Sequence, residues 1–311
     1  MKTIMLVALT VVSLVAFNWT YQGMWGRFGS GNGEFVSPGF IAADPATSNL
    51  YVSDVLNDRV QYFTPNGSYL GKWGTAGSGP GQFNGPSGIT ITNNKVYVVD
   101  FANHRVQYFT LTGSYLGQWG SQGSGNGQFY FPRGIANSPG NNIYVADTQN
   151  HRIQYFTDTG QYLGSFNVAQ WASPFGIATT HDNRILITDP NKAKVFIYTL
   201  TGVFVYQFGE WGHNPGSFLT PHGISSSPDN NIYVADCQHY IVQYFTQHGE
   251  FLGYFGSYGY GPGQFRGPWG IVIPGNNLIY VVDAANNRVE YFSSDTGVEP
   301  ISIGILRTLY H

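Results

Sequence analysis

Charge is what this sequence has least of. Charged side chains make up 10% of its 311 residues, where a soluble globular chain carries about 25%. The formal net charge of -3 leaves no broad basic field. That argues against nucleic acid or an anionic lipid surface as the partner. Cysteine is nearly missing too: Cys237 is the only one. No disulfide can form within the chain, so stability must come from burial, which a chain of this length can supply. A lone thiol with no partnering residues in the sequence reads as a packing residue, not a nucleophile. Long apolar runs are scarce as well. The one run, Ile4 to Phe17, is shorter than the roughly 20 residues that cross a bilayer. With Lys2 ahead of it, Met1 to Phe17 has the length and flank of a secretory signal peptide, and an uncleaved anchor is the other reading. The expectation is a secreted or extracytoplasmic monomer spanning residues 18–311, with no stable membrane span once the signal is removed. Beyond residue 17 no helical period is visible.

What the chain does have is aromatic residues and glycine. Aromatics reach 16%, with 22 Tyr and 22 Phe, and there are 41 Gly. Short buried strands joined by tight turns need this mixture. The segment Tyr-Val-Ala-Asp, or a close variant, recurs six times and ends on Asp54, Asp100, Asp147, Asp189, Asp236 and Asp283. These aspartates are 46, 47, 42, 47 and 47 residues apart. Six copies with a period in the forties predict a six-bladed β-propeller of four-stranded antiparallel blades.

One unit runs from Gly134 to Gly164. Pro-x-Gly-Ile opens a first strand, and the Tyr-Val-Ala-Asp strand follows an Asn-rich turn. An Asn-x-Arg turn leads to an alternating strand, Arg152 to Thr157, and a Thr-Gly turn to the last, Tyr162 to Phe166. Val, Ile, Tyr and Phe fill the strands, and Gly, Asn and Pro fill the turns. The ends fit this frame. Tyr21 to Gly26 matches Tyr69 to Gly74, the last strand of a blade. The N-terminal strand is therefore expected to complete the sixth blade and close the ring, with Val298 to Gly304 as the competing segment.

Asn103-His104-Arg105 and Asn150-His151-Arg152, each after Val-x-Asp, resemble the NHL repeat, as does the stretch Gly127 to Ile135. The resemblance covers essentially all of residues 18–311 and implies the fold. It does not imply one function, because NHL propellers act as RNA binders, interaction modules, extracellular sensors and lyases.

The six aspartates read as structural, paired with Arg59, Arg105, Arg152 and Arg288 five residues on. His104 and His151 belong to the repeat itself. The Gly-rich loops at 77–81 and 123–127 precede strands and lack the lysine of a phosphate-binding loop, so they read as inter-blade fingers.

A site on a repeating scaffold is expected where the repeat breaks. The residue between Pro and Gly should face the mouth of the central channel. Round the ring it is Gly39, Ser87, Arg133, Phe175, His222 and Trp269. One cation, one imidazole and two aromatics suit a pocket with apolar walls and a few polar contacts. The fourth repeat departs most, with a shortened loop that carries Trp171, and the next loop carries Glu210, Trp211 and His213. A notch between blades three and five, lined by Trp171, Phe175, Glu210, His213 and His222, is expected from this. The predicted ligand-binding set is therefore Arg133, Trp171, Phe175, Glu210, His213, His222 and Trp269.

Two function classes remain. The first is a non-enzymatic scaffold that binds protein, peptide or glycan through the top face, with no cofactor and no catalytic residue. The second follows from a resemblance to peptidylamidoglycolate lyases, propellers of this repeat type that hold zinc through three His from separate blades. Pro221-His222-Gly223-Ile224 matches one such position, which makes His222 the first metal ligand if there is one. Zinc, or calcium in a lactonase, is the metal these resemblances imply. A calcium site needs clustered carboxylates, and none of the six mouth residues is acidic. The basic top face of the RNA-binding members has no counterpart here.

Overall fold

The computed structural model describes residues 19–275 and 277–294. The expected signal peptide and the competing segment Val298 to Gly304 lie outside them. Each blade is a four-stranded antiparallel sheet, and there are six. Blade one runs Pro38–Ala43, Leu50–Asp54, Arg59–Phe63 and Tyr69–Trp73, from the channel outwards. The sixth takes its inner three strands, Pro268–Val272, Leu278–Asp283 and Arg288–Ser294, from the end of the chain. Its outer strand is Trp19–Trp25, antiparallel to Arg288–Ser294 with Trp19 opposite Ser294 and Trp25 opposite Val289. The ring is thus closed by the N-terminal strand.

Burial follows strand position. The second strand of blade three, Ile143–Asp147, is buried throughout. The outer strand Tyr162–Asn167 alternates half-buried and exposed residues, as an edge with one wet face must. The core lies in six wedges between blades. In one of them Tyr144 and Ile153 of blade three pack on Ile185, Ile187 and Phe196 of blade four. Burying each such side chain contributes about 1.5–3 kcal/mol. Tryptophans of the outer strands stitch neighbours together: Trp73 of blade one lies 5.6 Å from Phe109 of blade two, centre to centre.

The repeat aspartates sit at polar hubs. Asp147, fully buried, stands opposite Arg152 and accepts its Nε–H at 2.8 Å. It also accepts from Asn150 Nδ2 at 2.9 Å, Gln154 Nε2 at 3.0 Å and the backbone N–H of Tyr130 at 2.8 Å. One carboxylate thereby ties two strands and the incoming finger loop, and its buried charge is compensated. Asp54 and Asp100 hold the same set of partners. His104 and His151 are structural, occupying left-handed positions in these turns (φ 54° and 58°). His104 Nδ1 accepts the backbone N–H of Phe131 at 3.0 Å.

The hub changes in three blades. In blade four Asp189 faces Lys194, whose Nζ donates to the Gly209 carbonyl instead. In blade five Asp236 faces Ile241 and is met at 2.6 Å by His239 Nδ1. In blade six Glu290 stands where Gln61, Gln107, Gln154 and Gln243 stand elsewhere, bound to Arg288 and the backbone N–H of Gly263. Burial, with Asp283 adding to it, pushes the Glu290 carboxyl up to about 7 against the pull of Arg288.

Candidate functional site at the channel mouth

The Pro-x-Gly glycines set the geometry of the mouth. First strands of adjacent blades approach so closely there that a Cβ has no room. One on Gly134 would strike the Phe175 carbonyl, one on Gly176 that of His222, and one on Gly223 that of Trp269. Each glycine thereby draws the x residues of successive blades together. Pro38, Pro86, Pro221 and Pro268 pair with the repeat aspartates. The turn after each aspartate therefore opens on the same face as the x residues.

Three large side chains from blades four to six stack in the mouth. The rings of Phe175 and His222 are parallel within 16° at 4.5 Å, and His222 lies 4.1 Å from Trp269. Phe175 meets Trp269 edge to face at 5.5 Å. Blade one carries Phe40 where the other blades have glycine, and that ring adds to the stack, 6.0 Å from Phe175. The opposite side carries Gly39 and Ser87, which leave space. A cavity of about 260 Å³ opens there, walled by Pro38, Val55, Ser87, Phe101, Arg133 and Trp269.

Arg133 stands at the border between stack and cavity. Its guanidinium carbon lies 4.4 Å from the centre of the Phe101 ring and 4.8 Å from that of Phe175. Among the described residues no carboxylate pairs with it and no protein atom accepts its N–H groups. Arg59, Arg105 and Arg152 each meet an aspartate. Burial lowers the pKa of Arg133, and an arginine stays charged regardless. The same burial, together with the Arg133 charge, pushes His222 down to about 3. His222 is therefore neutral at physiological pH, and its buried Nδ1 has no hydrogen-bond partner.

The other expected residues stand elsewhere. The structure divides the five residues of the expected notch among three places. Phe175 and His222 are in the mouth stack. Trp171, 73% exposed, lines a rim hollow with Lys192 and Lys194, its ring 5.7 Å from that of His151. His213 lines another hollow with His239, the rings 5.3 Å apart, and Glu210 is exposed beside it. The open space lies instead next to blades one to three. Phe101, Val55 and Phe40 escaped the sequence reading. Phe101 and Val55 directly follow a repeat aspartate, at the position held by Thr148, Cys237 and Ala284 in other blades. Reading that column beside the Pro-x-Gly column would have found them. Cys237 is held protonated, pushed up to about 11 by burial and by Asp236 and Asp283.

A family described as 6-bladed beta-propeller matches residues 44–119, 84–178 and 173–244, which together run from 44 to 244. The chain belongs to that family. Solved propellers superpose over nearly its whole length. Virginiamycin B lyase from Staphylococcus aureus, as a catalytically inactive variant with quinupristin, gives a TM-score of 0.63 at 15% identity, covering 89% of this chain and 98% of that one. A Bacteroides thetaiotaomicron protein of unknown function gives 0.68 at 16%, covering 90% and 76%. A gluconolactonase from Xanthomonas campestris gives 0.65 at 10%, covering 85% and 88%. At these identities the likeness is one of fold. No curated protein matches the sequence.

Proposed function

We propose that this six-bladed propeller is of the NHL-repeat type and acts, after secretion, as a non-enzymatic binding scaffold that takes its ligand at the channel mouth. The observation behind this reading is the lopsided mouth. A rigid aromatic stack fills one side, and a cavity with apolar walls and an unpaired cation occupies the other. Concave, mostly apolar sites with a few placed polar groups are the usual form of a ligand pocket. A peptide, a protein segment or a glycan would present one residue or its end to a space of this size, with Trp269 and Phe101 as flat anchors.

A second reading is the metal-dependent lyase that the resemblance at His222 implies, and a lyase and a gluconolactonase stand among the structures of the same fold. The donors present do not fit its zinc. Three converging imidazoles are required, and His222 is the one imidazole among the mouth residues, packed against both Phe175 and Trp269. His213 and His239 line a separate hollow with each other. Among the described residues no three His, Cys, Asp or Glu side chains come together as a metal would need.

A thermal-shift screen of peptides, saccharides and small acids on the wild type and on Trp269→Ala tests the binding reading. Ligands that raise Tm in the wild type and lose that effect in the variant are expected. Ligands that keep their effect would move the site away from the mouth.

A further inference from the structure

We infer that the mouth cavity selects a small carboxylate whose apolar body is about one ring in size. This rests on the binding role proposed for the mouth and names the chemistry that role recognises.

Three observations lead there. The first is the surroundings of Arg133. Its guanidinium carbon lies over two phenyl rings, Phe101 at 4.4 Å and Phe175 at 4.8 Å. Those rings offer no acceptor in a conventional hydrogen bond, and no protein acceptor meets its N–H donors among the described residues. A planar fork with free donors is the complement of a carboxylate, which takes two parallel N–H···O bonds in that plane. The second is cost. A half-buried cation without a counter-charge loses part of its hydration with no partner to offset it, whereas Arg59, Arg105 and Arg152 each pair with an aspartate. Such a group fits a protein whose counter-charge arrives with the ligand. The third is the rest of the wall. Ser87, beside Arg133 on the next blade, offers a hydroxyl with no protein partner among the described residues, and Pro38, Val55 and Trp269 are apolar. Neutral His222 beyond Trp269 adds no competing positive charge.

Size limits the rest of the ligand. A space of about 260 Å³ is below the 300–1,000 Å³ that drug-sized ligands occupy. It takes one ring and its carboxylate. A free arylalkanoic acid and the last residue of a peptide ending in Phe share this chemistry.

Calorimetric titration of the folded protein decides the matter. The probes are N-acetyl-L-phenylalanine and its uncharged amide, on wild type, Arg133→Met, Arg133→Lys and Trp269→Ala, with circular dichroism confirming that each variant is folded. The expected result is binding of the acid at least tenfold tighter than the amide. That preference should vanish in Arg133→Met and fall partway in Arg133→Lys, which keeps the charge and loses the fork. Trp269→Ala should weaken both probes. Equal binding of acid and amide, unaffected by Arg133→Met yet lost in Trp269→Ala, would overturn the carboxylate assignment and leave the mouth as a site for neutral ligands. Equal binding unaffected by either variant would sink the assignment and the mouth reading together. Binding of neither probe to the wild type would also overturn the assignment, while the thermal-shift screen would still judge the mouth. Phenylacetate against Gly-Gly-Phe then separates the sources: tighter phenylacetate indicates a free acid, and tighter tripeptide a chain end.

Discussion

Each blade pairs its first strand to its second so that the Pro-x-Gly stretch lies close to the repeat aspartate, yet the two treat charge in opposite ways. At the hubs of blades one to three an arginine, an asparagine and a glutamine surround one carboxylate in the same arrangement each time. At the mouth no two blades carry the same side chain, and the one cation, Arg133, has aromatic rings for company instead of an acid. Repetition marks what every blade needs in order to fold. Divergence combined with an uncompensated charge marks what the fold does not need.

This contrast can be broken in several ways, and the hub should yield the largest effect. Asp147→Ala strands the buried donors of Arg152, Asn150 and Gln154. It should cost about 3–5 kcal/mol in urea unfolding; a loss under about 1 kcal/mol would mean that the hub is not what holds the blade. The glycine that brings two mouth residues together comes next. Gly176→Val would drive its side chain into the His222 carbonyl and should cost about 1–3 kcal/mol. Arg133→Met should do the reverse of Asp147→Ala. Removing a half-buried charge that no acid compensates should raise stability by up to about 1 kcal/mol, and destabilisation of the hub's size would show that Arg133 is a structural residue.

The smallest effect sharpens the comparison within the hubs themselves. Glu290 has its pKa raised in the folded state, from an ordinary 4.5 to about 7. The folded protein therefore holds this proton more tightly than the unfolded chain does. Stability is fully present below about 4.5 and is lost as pH rises towards 7. Glu290→Gln restores the amide of blades one, two, three and five, which can donate without charge. Between pH 5 and 8 the wild-type Tm should fall relative to that of the variant, and parallel profiles would rule out Glu290 as the cause.

Much of the architecture was legible in the sequence, because propeller strands and turns depend on local residue types. The spacing of six aspartates gave the blade count, and the match of Tyr21 to Gly26 with Tyr69 to Gly74 gave the closing strand. The Pro-x-Gly column identified Arg133, Phe175, His222 and Trp269 as mouth residues because neighbouring glycines fix where x must sit. The cavity was not legible. It exists because Gly39 and Ser87 are small and because Phe101 folds in from another turn, and an absence of volume leaves no motif. Unusual loops drew attention to Trp171, Glu210 and His213 instead, since divergence in a loop looks the same in sequence whether it faces the channel or the rim. The change from glutamine to glutamate at Glu290 was visible when the repeats are aligned, but its consequence depends on burial beside Asp283 and Arg288.

The central claim is that the mouth arginine awaits a counter-charge and the hub arginines already have theirs. Arginine Nε–H resonances of the ¹⁵N-labelled protein, assigned by single Arg→Lys substitutions, report on both at once. Titration with N-acetyl-L-phenylalanine should move the Arg133 signal while those of Arg59, Arg105 and Arg152 stay in place. A titration that leaves Arg133 unmoved, or that moves the hub arginines as much, would contradict the account.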